Sequence, residues 1–252
     1  MTSLALRRLT VLALAAPLAL GLASCKQEAD PAATKSAESI AKVAAPTGKA
    51  WAEVFAVTPE GGFQMGNPNA PIKLIEFGAL SCSHCADFAV KGFPKLRDEY
   101  VQSGRVSFEF RPFMLNLLDL PATLLATCGS PEAVIPLSEQ FWAFQPTMFE
   151  NLQKAGDAQV QAAGALTPDK RFAAVARLGG MDSFFASRGI AAEQGAACLA
   201  DSAKATKLVA QTQAAGEKYG ITGTPTFYLN GANVGTHTWE TLEPLLQNAG
   251  AR

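Results

Sequence analysis

The chain has 252 residues, 48% of them hydrophobic and 17% charged, enough to bury a core and to exclude wholesale disorder. Its 21 Lys and Arg stand against 22 Asp and Glu, a net charge of −1, so no broad basic field is available to hold nucleic acid. Five cysteines are too few for a disulfide scaffold at this length, and their positions carry more than their number.

Arg7 and Arg8 precede an apolar run from Leu9 to Leu20, the charged and apolar regions of a secretory signal. No later stretch reaches the roughly 18 consecutive apolar residues of a membrane-spanning helix. The run ends in Leu22-Ala23-Ser24-Cys25, which resembles the bacterial lipobox and implies loss of residues 1–24 and acylation of Cys25. An ordinary signal with a chance cysteine is the alternative. At about 0.8 kcal/mol per buried methylene, several acyl chains hold a protein stably at a bilayer surface. Residues 25–50 are rich in Ala, Lys, Glu, Ser, Thr and Pro, with Ile40 and Val43 as isolated large apolar side chains, and predict a flexible tether or a loose helix over 36–45.

Short strands are expected over 51–57 and 61–65, followed by the turn Gly66-Asn67-Pro68-Asn69-Ala70-Pro71. Ile72 to Phe77 is an almost continuous apolar run bounded by that turn and by Gly78, the pattern of a strand buried on both faces. Cys82 then opens a helix with apolar positions Phe88, Ala89, Phe93, Leu96 and Tyr100, and Pro94 predicts a kink near Gly92. Val106, Phe108 and Phe110 alternate with polar residues up to Pro112, completing a right-handed β-α-β unit.

From residue 116 to 200 the pattern becomes helical, with helices expected over 120–127, 131–152, 168–178 and 181–186. A long helix over 202–219 follows the N-cap residue Asp201 and ends at Gly220. Strand residues then flank Asn230-Gly231, a two-residue hairpin signal, and a last helix runs to about 249, with Thr241 expected to cap it so that Pro244 lies in its first turn. The division is therefore an α/β part over 51–115, an all-helical insert over 116–200 and a second α/β part over 201–252.

Cys82-Ser83-His84-Cys85 falls at a strand-to-helix junction of an exported chain. Backbone amides at a helix N-terminus stabilise negative charge, and a thiol there ionises at roughly pH 3.5–7.5 instead of about 8.5. Cys82 is the candidate nucleophile. Redox chemistry, a structural disulfide, half of a metal site and coincidence all produce such a pair. A zinc site needs four ligands, and neither the other cysteines nor His237 shows a second paired spacing, so no metal is assigned.

The strand and loop from Leu74-Ile75-Glu76-Phe77 to Cys82-Ser83-His84-Cys85, together with Gly223-Thr224-Pro225-Thr226 before a later strand, resemble the DsbA-like thiol:disulfide oxidoreductases of the thioredoxin superfamily. The Gly-Asn-Pro-Asn-Ala-Pro turn is of a kind met in one branch of them, and the resemblance covers the chain from about Met65 onward. It implies a thioredoxin-like fold with an inserted all-helical domain. It makes Cys82 the sulfur that exchanges with substrates, Cys85 its partner, and Pro225 the cis proline beside them, with Thr224 offering backbone groups to an extended substrate. Glu76 takes the place of a buried acid that relays a proton for Cys85. His84 takes that of a histidine that helps hold Cys82 as thiolate; Ser83 departs from the proline of the strongest oxidases, and Thr224 is a residue type also met in isomerases and reductases.

The activity implied is donation of disulfides to reduced exported proteins, without a cofactor, on the periplasmic side of a bacterial membrane. Reoxidation comes from a quinone-linked membrane partner near which a lipid anchor at Cys25 would keep the enzyme. An isomerase or reductase of a narrower pathway, or a metal-binding or scaffolding lipoprotein on the same fold, are the competing functions. Cys128 and Cys198 remain, an even number in an oxidising compartment, and are expected to pair across the insert, two buried free thiols being the alternative. Phe141, Trp142, Phe144, Met148 and Phe149 read as core of the insert, and His237 and Trp239 receive no role.

Overall fold

Ile72 to Gly78 forms a strand whose alternate side chains reach two separate cores, its apolar run broken only by half-buried Lys73 and wholly buried Glu76. The computed structural model describes residues 37–252; the expected signal sequence over 1–24 and the expected lipidation site Cys25 lie outside them. Six strands form one sheet in the order β1-β2-β4-β3-β5-β6: β1 Phe55–Val57, β2 Phe63–Gly66, β3 Ile72–Gly78, β4 Val106–Pro112, β5 Thr226–Leu229 and β6 Ala232–Gly235. β3 runs parallel to β4 and antiparallel to β5, with Glu76 opposite Phe110 on one side and Phe227 on the other. The remaining pairings are antiparallel.

The parallel pair is joined by α1 (Ser83–Lys91), the single turn α2 (Phe93–Lys95) and a π-helical turn over Leu96–Val101. The expected break falls at Gly92, where a Cβ would lie 2.8 Å from that of Trp239 and 3.0 Å from the Phe88 ring. Glycine is needed for this approach of the last helix, and Pro94 then sits where its missing N–H costs nothing. Leu74, Phe108, Phe110 and Phe227 are buried to within 2% of full coverage. Each such side chain contributes about 1.5–3 kcal/mol of transfer free energy.

Between β4 and β5 the chain builds α3 (Asp119–Ala126), α4 (Val134–Ala155), α5 (Asp157–Gly164), α6 (Pro168–Gly179), α7 (Met181–Ala186) and α8 (Ala192–Ala200), then α9 (Ser202–Tyr219). This is a thioredoxin-like α/β core with an inserted helical subdomain. In the insert, Phe141 stacks on Phe185 at 5.3 Å and meets Phe184 edge-on at 5.4 Å, while Phe149 is exposed. Cys128 and Cys198 are joined by a disulfide of 2.04 Å that closes the end of α3 onto α8. α5 and α8 were not expected. The first is short and mostly polar or alanine, and the second is alanine-rich with Cys198 and Leu199 as its only large apolar groups, so neither carries a stripe of large apolar residues.

Three further expectations are corrected. Trp51 to Glu53 is a 3₁₀ turn and not strand, because the Trp51 ring turns inward and its Nε1 donates to the Val43 carbonyl at 2.8 Å. Residues 37–50, the described part of the segment 25–50 expected as a flexible tether or a loose helix, are held by Ala37 N–H to Asn248 O and Ile40 N–H to Gly250 O at the C-terminal end and by Val43 N–H to Ser103 O before β4, each at 2.8–2.9 Å. The last helix, α10 (Trp239–Asn248), starts after Thr238 and not Thr241, so Pro244 lies within it on the exposed side. The hairpin turn at Asn230-Gly231 has φ of 50° and 83°, the left-handed pair that Asn-Gly supplies at least cost.

Candidate active site

Cys82 is the N-cap of α1, where its sulfur accepts from the Cys85 N–H at 3.5 Å. The pair is held as two thiols. The Cys82 Sγ also lies 3.2 Å from the carbonyl oxygen of Thr224, to which the thiol donates. The Thr224–Pro225 peptide is cis and turns that carbonyl toward the sulfur, so the two motifs, 142 residues apart between Cys82 and Thr224, meet at one point.

These contacts make Cys82 acidic. The Cys85 thiol donating to its sulfur is the largest influence; burial works against it, and the Thr224 side chain and the N–H groups of Cys85 and His84 add to it. The result is a pKa of about 5. Once ionised, Cys82 can no longer donate to the Thr224 carbonyl. The Thr224 hydroxyl, which is buried and has no other partner, then supplies a donor. The part of His84 that acts on the sulfur is its backbone N–H; the ring is exposed.

One turn further on, the environment reverses. Cys85 is fully covered, and burial, its own donation to Cys82 and the nearby charges of Glu76 and Cys82 push its pKa well up. Glu76 is also fully buried, on the face of β3 that carries Ile72 and Leu74, and neither of its carboxyl oxygens has a hydrogen-bond partner. Burial raises its pKa well above the usual carboxylate range, the charges of Cys82 and Glu139 add to the rise, and the Cys85 thiol partly offsets it. The resulting gradient runs from a sulfur that readily gives up its proton to a thiol and a carboxyl that keep theirs.

The loop carrying the pair is fixed by the insert, through Trp142, which the sequence marked only as core, and through Gln145 and Asp119, which it did not single out. Trp142 Nε1 donates to the Ala79 carbonyl at 3.0 Å, and Gln145 Nε2 donates to those of Leu80 and Cys82 at 2.9 and 3.0 Å. Asp119, wholly buried at the start of α3, accepts from the Ser81 N–H at 2.8 Å and from those of Leu115 and Asn116. The available signal was Gln145 among apolar neighbours on α4, a polar residue where the helix faces the core. His237 and Trp239, with His84 and Phe88, line a groove of about 360 Å³ next to the redox loop. Among the described residues no group of three or more His, Cys, Asp or Glu side chains could hold a metal ion, and no helix is long and apolar enough to cross a membrane.

A fold with a dithiol at the start of its first helix and a cis proline opposite defines a class, and comparison with known proteins agrees. A family model described as "Thioredoxin" matches residues 58–248, and the chain belongs to that family. The solved structure of a protein-disulfide isomerase from Novosphingobium aromaticivorans is 31% identical, with 74% of this chain and 96% of that one covered at a TM-score of 0.70. That of alpha-DsbA1 from Wolbachia pipientis, 21% identical, shares the fold at a TM-score of 0.60 over 74% of this chain and 89% of its own. A Rickettsia conorii protein provisionally named a protein-disulfide oxidoreductase is 23% identical over 192 residues, 73% of this chain and 59% of its own length. The chain thus spans less than two thirds of such curated relatives.

Proposed function

We propose that the protein is a thiol:disulfide oxidoreductase that works through Cys82 and Cys85 on exported proteins. The observation that carries this reading is the opposed acidity of two sulfurs on one helical turn. A thiolate of a reduced substrate attacks the Cys82 sulfur of the disulfide form. The Cys82–Cys85 bond breaks, and Cys85 leaves and is protonated with the help of Glu76. A second substrate thiolate then expels Cys82, which leaves readily because its anion is stable. The same stability favours the reduced enzyme and raises its potential, about 30 mV for each 1.4 kcal/mol in a two-electron couple.

In this reading Pro225 and the backbone of Thr224 face an extended substrate segment, and the disulfide Cys128–Cys198 braces the insert. The positively charged and apolar N-terminus and the sequence around Cys25 support export and lipid attachment on the periplasmic side of a bacterial membrane, within reach of a quinone-linked partner that restores the disulfide.

The 31%-identical relative is named a protein-disulfide isomerase, and this, together with Thr224, favours a second reading in which the pair isomerises or reduces. Equilibration of Cys82–Cys85 with glutathione redox buffers decides. A potential well above that of thioredoxin, with oxidation of a reduced two-cysteine peptide, supports the oxidase. A potential near or below about −270 mV excludes it.

A further inference from the structure

Phe77 of β3 lies beside Arg111 of β4, one residue on from the pair Glu76 and Phe110, so both point to the face of the sheet turned away from Glu76. Strand alternation puts Glu109 and Arg111 on the polar side of β4, yet they are only 8% and 9% exposed, covered by α9 and the loop before β2. Disulfide exchange makes no use of them. A buried ion pair is also a poor source of stability, since desolvating two charges offsets most of their attraction. Its presence there asks for another reason.

Arg111 Nε and Nη2 donate to the two Glu109 oxygens at 2.7 and 3.1 Å, and Nη1 donates to the Tyr219 hydroxyl at 3.0 Å. The rings of Phe77 and Tyr219 lie 5.5 and 5.4 Å from the guanidinium carbon. Of the five N–H donors an arginine carries, these bonds use three and leave one on each of Nη1 and Nη2. The Glu60 carboxylate comes only to 3.8 Å from Nη2, beyond hydrogen-bond length, with its side chain 42% exposed. The Lys218 ammonium sits 4.8 Å from the Tyr219 ring centre. Next to these groups is a pocket of about 210 Å³, walled by Phe77, Pro112, Ala214 and Ala215, with Arg111 and Lys218 supplying positive charge. An apolar cavity of about 150 Å³ takes up benzene, so this one has room for a single ring and a polar group. Negative charge on oxygen is favoured there: burial raises the pKa of the Tyr219 hydroxyl, but the hydrogen bonds and charges of Lys218 and Arg111 outweigh it and the value is lowered.

We propose that this pocket is a binding site, separate from the redox pair, for a small aromatic carboxylate. The ring lies against Phe77, Ala214 and Ala215. The carboxylate accepts from the unused N–H groups of Arg111 and from Lys218, and Glu60 turns out to water. Both parts of the ligand are required: an anion without a ring leaves the apolar wall wet, and a ring without charge leaves the cations unpaired. The pocket shares no residue with the Cys82 loop or with the groove of His84 and His237, so ligand is held whether the dithiol is oxidised or reduced.

Isothermal titration calorimetry of the whole protein with benzoate, benzamide, acetate and inorganic phosphate tests the site. Benzoate is expected to bind one equivalent, and each of the other three roughly tenfold more weakly or worse. Three variants place the binding. Lys218→Gln weakens benzoate by about threefold to tenfold, and Glu60→Gln, which removes a competing carboxylate, tightens it by about twofold to fivefold. Ala214→Leu fills the pocket from an exposed position and abolishes binding. None of the three touches the redox loop, so the urea midpoint without benzoate and the rate of disulfide exchange stay at the wild-type values, which separates loss of the site from loss of the fold. No heat with benzoate, equal affinity for benzamide, phosphate bound as tightly as benzoate, or binding that survives Ala214→Leu overturns the proposal.

Discussion

Cys82 and Cys85 sit three residues apart on α1 and yet have opposite chemistry. Burial pushes both thiols toward the protonated form. At Cys82 it is outweighed because the sulfur receives donors from Cys85, Thr224 and two backbone N–H groups; at Cys85 the sulfur is itself the donor and faces a carboxyl. What separates them is the deeper burial of Cys85 and the direction of the thiol–thiol hydrogen bond, to which the helix start adds by pointing its free N–H groups at the first residue.

Removing each sulfur in turn gives the widest separation. Cys82→Ser reduces exchange with a two-cysteine peptide to the uncatalysed rate, whereas the Cys82 thiolate of Cys85→Ser still attacks the disulfide form of such a peptide, displaces one of its sulfurs as thiolate and accumulates a mixed disulfide visible by mass spectrometry. A test of independence comes next. Replacing Cys128 and Cys198 by serine opens a loop of 70 residues and costs about 4 kcal/mol on the chain-entropy relation, read by denaturant unfolding, while the acidity of Cys82 stays where it was.

Gln145→Leu attacks the floor of the Cys82 side alone. It strands the carbonyls of Leu80 and Cys82 away from water, with an expected cost of about 2 kcal/mol in urea unfolding and a slower reaction at Cys82.

The smallest effect is expected from Thr224→Val, which removes one donor to the thiolate. The thiolate fraction at pH 5 falls about twofold to threefold, read by alkylation rate. The linkage has a definite sign. A thiol whose folded pKa is depressed to about 5 contributes stability that is fully present above its unfolded value, and lost as pH falls through the folded one. The reduced protein therefore gains on the oxidised one between pH 5 and about 8.5, a window in which Cys85 is protonated whether folded or not, and Thr224→Val shrinks that gain.

Much of this was legible in the chain. The apolar run 72–77, the Cys-Ser-His-Cys loop and the Asn-Gly turn mark their elements through short-range chemistry, and strand parity alone places Glu76 on the face of Ile72 and Leu74. The supports from the insert were not legible, because Trp142 and Gln145 reach carbonyls more than 60 residues away, and side-chain periodicity records which face is buried and nothing about what it meets. The segment 37–50 misled because its composition is that of a linker, while what fixes it is hydrogen bonding of its backbone to Asn248, Gly250, Ser103 and the Trp51 indole.

The most direct test follows the thiolate absorbance of Cys82 in the reduced protein from pH 3 to pH 9, with Cys82→Ser as the blank. A midpoint near pH 5 is predicted. A midpoint close to 8.5, that of a free cysteine, would contradict the account, since the donors around the sulfur would then do nothing for its charge.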